Sequence, residues 1–583
     1  MTPRPPLSDH QLSELRRAQQ LVREGKGQGA IERIRPLLEA KVIHADVYWL
    51  FAEACRLAGL KAEARTSLNA AINLDPAQPG PWAALGSLLE EMEDLGTALV
   101  ARRRLVEVDP DGVNAWLALG DLLLRLGDAR EAEPAYRRAL ALVPGGFRAG
   151  HGLALALRLQ DRPQEALAVT GTLVTRPGVP ALTRTLHGHL LGDLDRLEDA
   201  AAQYRAVIAT RPEELDAQET LARLLPQIGR GDEALAGYEA ALRARPGDRA
   251  LWRSAVRTAR GLRRWPACLA WSEQAVRRFP GDPFLAVAHA DALGFSGDPQ
   301  AALALLEPLA GGPAPDAFAA VQAAHWRLAT GDPEAAERHA RAATALAPDE
   351  QTGWAYLATA WRLLNDPRER WLIDPERHVG TLMLEPPPGY ADRESFLAEL
   401  RAVLEGMHGA NAHHPDDQSA RQGTQTRGHL FTRRDPVIEA LSRTLHRQIE
   451  EWLATLPRDE THPFLRRNTG WIGFRHSWSI RLRDSGFHVS HIHQEGWLSS
   501  AFYVSLPPEV ESAPADGDVP GALVFGVPDA SLGLSLPPRR VERAEVGKLV
   551  LFPSYAWHGT VPFASAHPRM TVAFDALPVP AQS

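Results

Sequence analysis

Proline recurs along the first part of the chain at a nearly constant spacing. It occupies positions 76, 110, 144, 177, 212, 246, 280 and 348, so the steps are 34, 34, 33, 35, 34, 34 and 68 residues. Proline ends a helix because it lacks the backbone N–H and its ring clashes with the preceding turn. A helix end every 34 residues leaves room for two antiparallel helices, and such a hairpin cannot bury its apolar face alone. The spacing therefore predicts hairpins that stack into a superhelix.

Small and large residues keep the same register as the prolines. Trp82 and Trp116 are 34 residues apart. The other positions in this register are Leu85 and Leu119, Gly86 and Gly120, Ala98 and Ala132 and, one repeat earlier, Tyr48, Ala52 and Ala64. The small residues let helices approach closely, and the aromatic residues fill the space between them. The pattern resembles the tetratricopeptide repeat, and we expect an all-α superhelix of about nine or ten units within residues 1–365.

The resemblance to tetratricopeptide repeats implies a binding role for the array. The concave groove of such an array usually holds a peptide or a partner protein. We therefore expect a peptide or protein partner in the repeat groove. The alternative is an array that serves as a rigid spacer or as a dimerisation surface.

Composition argues against several classes of partner and site. The net charge is −8 and the pI is about 6.2, which gives no indication of binding to nucleic acid or to an anionic membrane. The two cysteines, Cys55 and Cys268, are far apart and neither has a CxxC partner, which argues against a disulfide or a thiolate metal site. The N-terminus lacks the apolar core of a signal peptide, and no apolar run reaches transmembrane length. A cytoplasmic location is expected.

The repeat period ends near residue 365, and a different organisation follows. Prolines and a loop interrupt the helical pattern, so residues 366–400 are predicted as a linker. Apolar periodicity predicts amphipathic helices at 395–409 and 436–456, the second packing on the outside of the following domain. The polar stretch between these helices contains His413 and His414, which either line the mouth of that domain or lie in a surface loop.

The remaining sequence predicts β-structure. From Trp471 onward, short alternating segments are separated by glycine and proline turns. Strands this short favour a barrel or a jelly roll. We predict a double-stranded β-helix, or jelly-roll, domain with flanking helices at residues 401–583.

Three histidines and an arginine stand out within the β-segments. His491 and His493 lie in an alternating segment, and a strand would place both on one face. Two adjacent imidazoles are costly to bury unless they share a partner, and a metal ion is such a partner. His558 follows a later apolar run, and Arg569 opens another alternating strand. The pattern predicts a metal site at the mouth of the β domain with an anion-binding arginine beside it.

Four segments together resemble bacterial and phage 2-oxoglutarate- and Fe(II)-dependent oxygenases. They are HIHQEGWLSSAFYVSLP, GALVFG, LVLFPSYAWHGTVPF with Arg569, and QSARQGTQT, and the resemblance spans about 375 to 580. It implies Fe(II) as metal and 2-oxoglutarate as cosubstrate. His491 takes the position of the first ligand and His558 that of the distal ligand. Arg569 takes the role of the salt bridge to the far carboxylate of 2-oxoglutarate, to which Thr571 can add a hydroxyl, and no catalytic group beyond the metal ligands is implied.

The second ligand departs from the usual pattern. Such enzymes commonly hold iron with two histidines and one carboxylate, but the residue two positions after His491 is His493. One alternative makes His493 the second ligand of a three-histidine site. Another pairs His493 with Glu495 and places His491 behind them, although Gly496 indicates a turn close to Glu495. In the third, the metal site has been lost.

These observations lead to one expected function and two alternatives. We expect an oxygenase that hydroxylates a peptide or protein recruited by the repeats. One alternative is a repeat scaffold whose β domain binds without catalysis. The other is a three-histidine dioxygenase that does not use 2-oxoglutarate.

Overall fold

The structure is a computed structural model that describes residues 7–408, 419–514 and 519–580. The chain divides into two compact units, Met1–Leu190 and Leu191–Ser583. His413 and His414, which the sequence places near the mouth of the β domain or in a loop, lie outside the described residues.

Helical hairpins form the first unit. In each hairpin of this unit, the second helix runs antiparallel to the first, and α4, α6 and α8 each end two residues before one of the periodic prolines. The helices are α1 (Asp9–Arg23), α2 (Gly27–Glu39), α3 (Ala45–Leu57), α4 (Lys61–Leu74), α5 (Pro79–Glu91), α6 (Leu95–Val108), α7 (Val113–Arg125), α8 (Ala129–Leu142), α9 (Phe147–Leu159), α10 (Pro163–Val174) and most of α11 (Ala181–Asp193).

The small residues of the repeat lie where helices come closest. A Cβ added at Gly120 would be 2.8 Å from the ring of Tyr136, which packs from the next helix. Ala98 and Ala132, at another small position of the repeat, are both 0% exposed. The role that the sequence predicts for these residues is thus confirmed.

A hydrogen bond explains why tryptophan and proline keep the same register. The indole N–H of Trp82 donates to the carbonyl of Pro76, six residues earlier, at 2.9 Å. The other such pairs are Trp116 with Pro110, Trp252 with Pro246 and Trp354 with Pro348. Where glutamine replaces tryptophan, the amide of Gln218 donates to Pro212 at 3.1 Å. The aromatic residue therefore ties down the turn that proline begins.

Helical hairpins also open the second unit. They comprise the end of α11 and the helices α12 (Leu197–Thr210), α13 (Leu215–Leu224), α14 (Ala236–Ala244), α15 (Arg249–Gly261), α16 (Trp265–Arg278), α17 (Pro283–Phe295), α18 (Pro299–Gly311), α19 (Ala317–Ala329), α20 (Pro333–Leu346) and α21 (Gln351–Leu363). Counted along the described chain, α1 to α20 make ten hairpins.

The segment predicted as a linker, 366–400, contains regular structure. It holds the helices α22 (Arg368–Leu372) and α23 (Pro375–His378), the strand β1 (Gly380–Met383) and the start of α24 (Arg393–Met407). Two further helices are α25 (Pro436–Thr455) and α26 (Pro508–Glu511). Both predicted amphipathic helices are therefore present, as α24 and α25.

Two antiparallel sheets form the β domain. The further strands are β2 (Ala420–Gln425), β3 (Ile472–His488), β4 (Leu498–Ser505), β5 (Leu523–Phe525), β6 (Arg540–Glu542), β7 (Lys548–Pro553), β8 (His558–Thr560) and β9 (Arg569–Pro578). The larger sheet has the order β1-β7-β4-β9-β3-β2, so β1 from the predicted linker is its edge strand. The smaller sheet has the order β6-β5-β8.

The larger sheet is buried on both faces. One face carries Phe502, Val572 and Phe574, which pack with the apolar side of α25. The opposite face carries Tyr503 and Phe552, which pack with residues of β5 in the smaller sheet. This alternation follows from the two-residue period of a strand. The face toward the smaller sheet is the one that holds the candidate site.

The last long helix of the array, α21, packs directly on the β domain. The indole N–H of Trp557 donates to the hydroxyl of Thr359 on α21 at 3.0 Å, and both groups are buried. The rings of Tyr356 and Trp557 are 6.1 Å apart. The guanidinium of Arg362 on α21 donates to the carbonyl of Gly526 at 2.5 Å.

Within the described residues, no helix has both the length and the apolar character needed to cross a bilayer.

The close packing of the second unit predicts the effect of adding a methyl group at Gly294. A Cβ there would be 2.3 Å from the ring of Trp326, which is itself only 5% exposed. We expect Gly294→Ala to lower the free energy of unfolding by about 1–3 kcal/mol, as overpacking does. Urea denaturation followed by circular dichroism measures this change. Gly261→Ala is the matched control because nothing lies within 4 Å of its Cβ position; equal stability of the two variants would contradict the proposed packing.

The bond between Trp557 and Thr359 predicts a second effect. Thr359→Val keeps the shape but leaves the buried indole N–H without an acceptor, which should cost about 1–3 kcal/mol. The matched control is Thr344→Val, since Thr344 is also buried and bonds to its own helix, at Arg341. Thermal unfolding compares the two variants. A larger loss for Thr344→Val would show that the indole bond does not anchor α21 to the β domain.

Candidate metal centre

Backbone pairing fixes the segment that carries His491 and His493. The sequence predicts a regular strand here, and this is wrong in detail, because β3 ends at His488 and β4 begins at Leu498. His491 instead forms an isolated antiparallel bridge with His558. The backbone N of His491 lies 2.9 Å from the carbonyl O of His558, and the backbone N of His558 lies 3.1 Å from the carbonyl O of His491. The N–H of His493 donates to the carbonyl of Ser554 at 3.0 Å. A turn at residues 494–496 ends the pairing.

The bridge brings three imidazoles together. One ring nitrogen from each of His491, His493 and His558 lies within 4.8 Å of the others. The ring centroids of His491 and His558 are 4.2 Å apart, and that of His493 is 5.1 Å from each. His558 is 5% exposed, and the other two rings are half-buried. The structure thus gathers the three histidines that the sequence pattern singles out.

The hydrogen bonds of these rings determine which nitrogen is free to bind a metal. Nδ1 of His491 lies 2.8 Å from the carbonyl of Val489, and Nδ1 of His558 lies 3.0 Å from that of Ala556. Because a carbonyl only accepts, Nδ1 donates in both rings, and Nε2 carries the lone pair. Each ring is therefore held in the tautomer that a metal-binding histidine adopts when its other nitrogen is engaged.

Burial favours the neutral form of the His491 and His558 rings. Loss of solvent around the ring, with His493 beside it, lowers the pKa of His491 to about 3. Burial, together with His491 and His493, holds the pKa of His558 well below its usual value. A neutral imidazole is the form that binds a metal. Imidazole nitrogens suit a first-row ion such as iron or zinc, so the three rings fit the metal that the sequence resemblance implies.

A buried carboxylate lies behind His493. Nδ1 of His493 is 2.8 Å from Oδ1 and 2.9 Å from Oδ2 of Asp575 on β9. The hydroxyl of Ser499 donates to the same carboxylate at 2.7 Å. Burial raises the pKa of Asp575, but His493 and the hydrogen bonds outweigh it and leave the pKa below the usual value. The ring of Trp478 lies nearly parallel to that of His493, at 6.0 Å and 12°.

Arg569 lies on the same strand face as Asp575 and is buried at 3% exposure. Its Nη1 donates to the carbonyl of Gly521 at 2.8 Å, and its guanidinium carbon lies 5.1 Å from the centre of the Tyr503 ring. Among the described residues, neither its Nε nor the hydroxyl of Tyr503 has a hydrogen-bond partner, and both atoms are buried. Burial lowers the pKa of Arg569, and no carboxylate in the described parts of the chain pairs with it. Thr571, 5% exposed, is next along this strand face and pairs with Tyr503 across the sheet.

Glu495 does not join the histidines. Its side chain is 75% exposed and lies 3.9 Å from the guanidinium of Arg475. Among the described residues, the metal-binding group that the structure assembles near this turn contains only histidines. The roles of Glu495, Arg569 and Thr571 remain predictions.

The sequence alone did not single out Asp575, and it indicated Tyr503 only as one of several aromatic residues that could shape the pocket. Strand alternation was the signal that could have found Asp575, since it lies six residues after Arg569 on the same face of β9. Tyr503 faces the same side from β4, opposite Thr571. Neither stands out in the sequence, because single acidic and aromatic residues are common in strands.

The fold and the site define a class of protein. It combines helical hairpin repeats with an antiparallel β domain that gathers three histidines. The comparisons with known families agree: residues 476–575 match the family described as "Putative 2OG-Fe(II) oxygenase". Residues 15–79, 84–147, 117–170 and 185–249 match the tetratricopeptide repeat. The matched segments between residues 15 and 249 thus carry tetratricopeptide repeats, and residues 476–575 form a domain similar to putative 2OG-Fe(II) oxygenases.

None of the curated proteins matches the chain. Among solved structures, one described as MamA 41-end from Desulfovibrio magneticus RS-1 is 20% identical and covers 29% of this chain and 97% of its own, with a TM-score of 0.27. YrrB, described as a TPR protein with an unusual peptide-binding site, is 21% identical and covers 32% and 94%, with a TM-score of 0.27. Naa15/Naa10 bound to HypK-THB is 14% identical and covers 61% and 67%, with a TM-score of 0.29.

The geometry predicts which side chains metal binding requires. We expect His493→Ala and His558→Ala to weaken Fe(II) binding by more than about 100-fold, because the effect of losing a ligand exceeds that of losing its outer partner. Glu495→Ala should bind within about twofold of the unaltered protein, because the side chain points to solvent. Anaerobic titration with Fe(II) alone measures these affinities. His10→Ala, which removes an exposed imidazole on α1, is the control; loss of binding in Glu495→Ala would favour the His493 and Glu495 pair.

Proposed function

We propose that this protein is an Fe(II)- and 2-oxoglutarate-dependent oxygenase that hydroxylates a peptide or protein. The observation that carries the proposal is the combination of two features within the β domain. The first is a cluster of three imidazoles whose Nδ1 atoms are all engaged in hydrogen bonds. The second is a buried arginine without a carboxylate partner among the described residues.

His491, His493 and His558 are the proposed metal ligands. Fe(II), when bound together with 2-oxoglutarate, would supply the chemistry that inserts one oxygen atom of O2 into a C–H bond, while 2-oxoglutarate takes up the other atom and is converted to succinate and CO2. The protein holds the three rings through the carbonyls of Val489 and Ala556 and through Asp575. These bonds fix the tautomer and the plane of each ring before the metal arrives, so binding requires little rearrangement.

Arg569 is the proposed binding group for the distal carboxylate of 2-oxoglutarate. A guanidinium buried without a counter-charge is costly, and an anionic ligand removes that cost. The Nε of Arg569 and the hydroxyl of Tyr503, which have no partner in the part of the chain that the structure describes, are two donors for one carboxylate. Thr571 on the same face can add a third donor. The carbonyl of Gly521 holds the other end of the guanidinium and sets its direction.

Aromatic side chains exclude water from the distal histidine. The ring of Phe552 lies 4.5 Å from that of His558, and Phe525 from the smaller sheet lies 5.1 Å from Phe552. A dry, low-dielectric wall strengthens the interaction of Arg569 with a carboxylate and protects reactive species from water.

The repeats are proposed to recruit the peptide or protein substrate. The support is the repeat architecture itself, since stacked hairpins present an extended surface for a partner chain. In the second unit, the side chains of Tyr356, Thr359 and Arg362 on α21 already contact the β domain. We therefore place the partner on helices other than α21.

A second candidate is a three-histidine dioxygenase that does not use 2-oxoglutarate. The observation that favours it is the donor set, which contains no carboxylate in the described residues. The two candidates differ in the purpose of Arg569. Only the first requires this arginine to bind a cosubstrate.

Removal of the proposed anion-binding groups tests the function. We expect Arg569→Ala to weaken 2-oxoglutarate binding by about 10- to 100-fold, because a charge-assisted hydrogen bond is lost, and Tyr503→Phe by up to about tenfold. Fe(II) affinity should stay the same in both variants. The measurement is an anaerobic titration of the Fe(II)-loaded protein with 2-oxoglutarate, followed by the visible charge-transfer absorption of the chelate. Arg475→Ala, an exposed arginine paired with Glu495, is the control.

The same titration separates the alternatives. Fe(II) bound without the charge-transfer absorption would favour the three-histidine dioxygenase. Absence of any Fe(II) binding would make the β domain a binding module and would contradict both enzymatic proposals.

A further inference from the structure

The charge of the three-histidine set differs from that of the usual iron set. Two histidines and a carboxylate place one negative charge in direct contact with the metal. Three neutral imidazoles place none there. A compensating charge, if the protein supplies one, must therefore come from a group that touches a ligand.

The three ligand candidates have different outer partners. His491 and His558 each donate from Nδ1 to a neutral backbone carbonyl. His493 alone donates to a carboxylate, that of Asp575, and both carboxylate oxygens lie within 2.9 Å of its Nδ1. His493 occupies the position at which an acidic ligand is usual. It is also the one of these three histidines whose outer partner is acidic.

The surroundings of Asp575 direct its charge toward His493. The side chain is 10% exposed, and no lysine or arginine in the described parts of the chain pairs with it. Ser499 donates to Oδ1 at 2.7 Å, and its hydroxyl lies 2.8 Å from that of Ser554. Gly496 leaves room for this arrangement, because a Cβ there would lie 2.4 Å from the Ser554 hydroxyl and 3.4 Å from Oδ1 of Asp575.

Since His493 and Ser499 both donate to it, the carboxyl group of Asp575 acts only as an acceptor. A carboxylate hydrogen-bonded to Nδ1 increases the electron density at Nε2 and fixes the ring. We propose that Asp575 is the positioning residue that supplies, through His493, the negative charge that a directly bound carboxylate supplies in the usual iron set. This inference rests on the proposed metal site. In this arrangement the carboxylate lies behind the imidazole of His493 and is not in direct contact with the metal.

The test compares metal affinity in two backgrounds. Anaerobic titrations with Fe(II) alone and with Co(II) alone are made on the full chain and on Asp575→Asn. We expect Asp575→Asn to weaken both metals by about 10- to 100-fold, as the loss of an outer-sphere carboxylate does. Ser499→Ala is the matched control, because it removes a hydrogen bond to the same carboxylate but leaves the charge; it should weaken binding by less than about threefold.

The second background is His493→Asp, which returns a carboxylate to the ligand position. If Asp575 acts through the imidazole, Asp575→Asn in this background should change affinity by less than about threefold, so the two substitutions are strongly coupled. Co(II) absorption reports the same coupling, because the ligand-field bands should shift on Asp575→Asn only when His493 is present. Equal losses in both backgrounds would assign Asp575 a merely structural role and overturn the inference.

The affinity and the folding of the Asp575 variants also test the inference. Unchanged affinity in Asp575→Asn, with normal binding of Fe(II) and 2-oxoglutarate by the unaltered protein, overturns the inference and leaves the proposed function standing. No metal binding by the unaltered protein overturns both. If Asp575→Asn fails to fold, as judged by circular dichroism, Asp575→Glu decides: affinity within about tenfold supports the inference, and loss of folding there too shows that the role is structural.

Discussion

The backbone bridge between His491 and His558 is the interaction on which the site depends. It joins a segment that follows β3 to the start of β8, and these segments are far apart in sequence. Without it, the two rings would have no reason to lie 4.2 Å apart. Residues 554–558 follow β7 directly, and β7 is held in the larger sheet by its pairing with β4. This pairing places His558 beside the segment that carries His491. The register of the sheet thus sets the distance between the two imidazoles.

Much of the fold follows from periodicity in the sequence. The prolines and small residues predict the hairpins because helix ends and close helix contacts are local requirements that recur in every unit. The alternating segments after Trp471 predict the strands for a similar reason. His491, His493 and His558 stand out because imidazoles within apolar strands are rare and costly. The structure brings them together, while their role as ligands stays a prediction.

The rest depends on contacts between distant segments, which no local pattern records. Asp575 gains its place from the pairing of β9 with β4, which sets it beside Ser499. Thr359 appears in the sequence as an ordinary helical residue, yet it accepts the indole N–H of Trp557. The linker prediction failed to anticipate β1 for the same reason, since a strand of four residues is recognised only through its partner β7.

The contact of α21 with the β domain has a consequence for how this protein can be rearranged in evolution. Trp557 is adjacent to His558 and uses a repeat residue as its hydrogen-bond acceptor. A β domain transferred without α21 would expose that indole and the aromatic surface around it. We therefore expect α21 and the β domain to be kept together when domains are exchanged. Recombination within the earlier repeats of the second unit leaves this pair whole, so the array can change length there while the histidine cluster is kept.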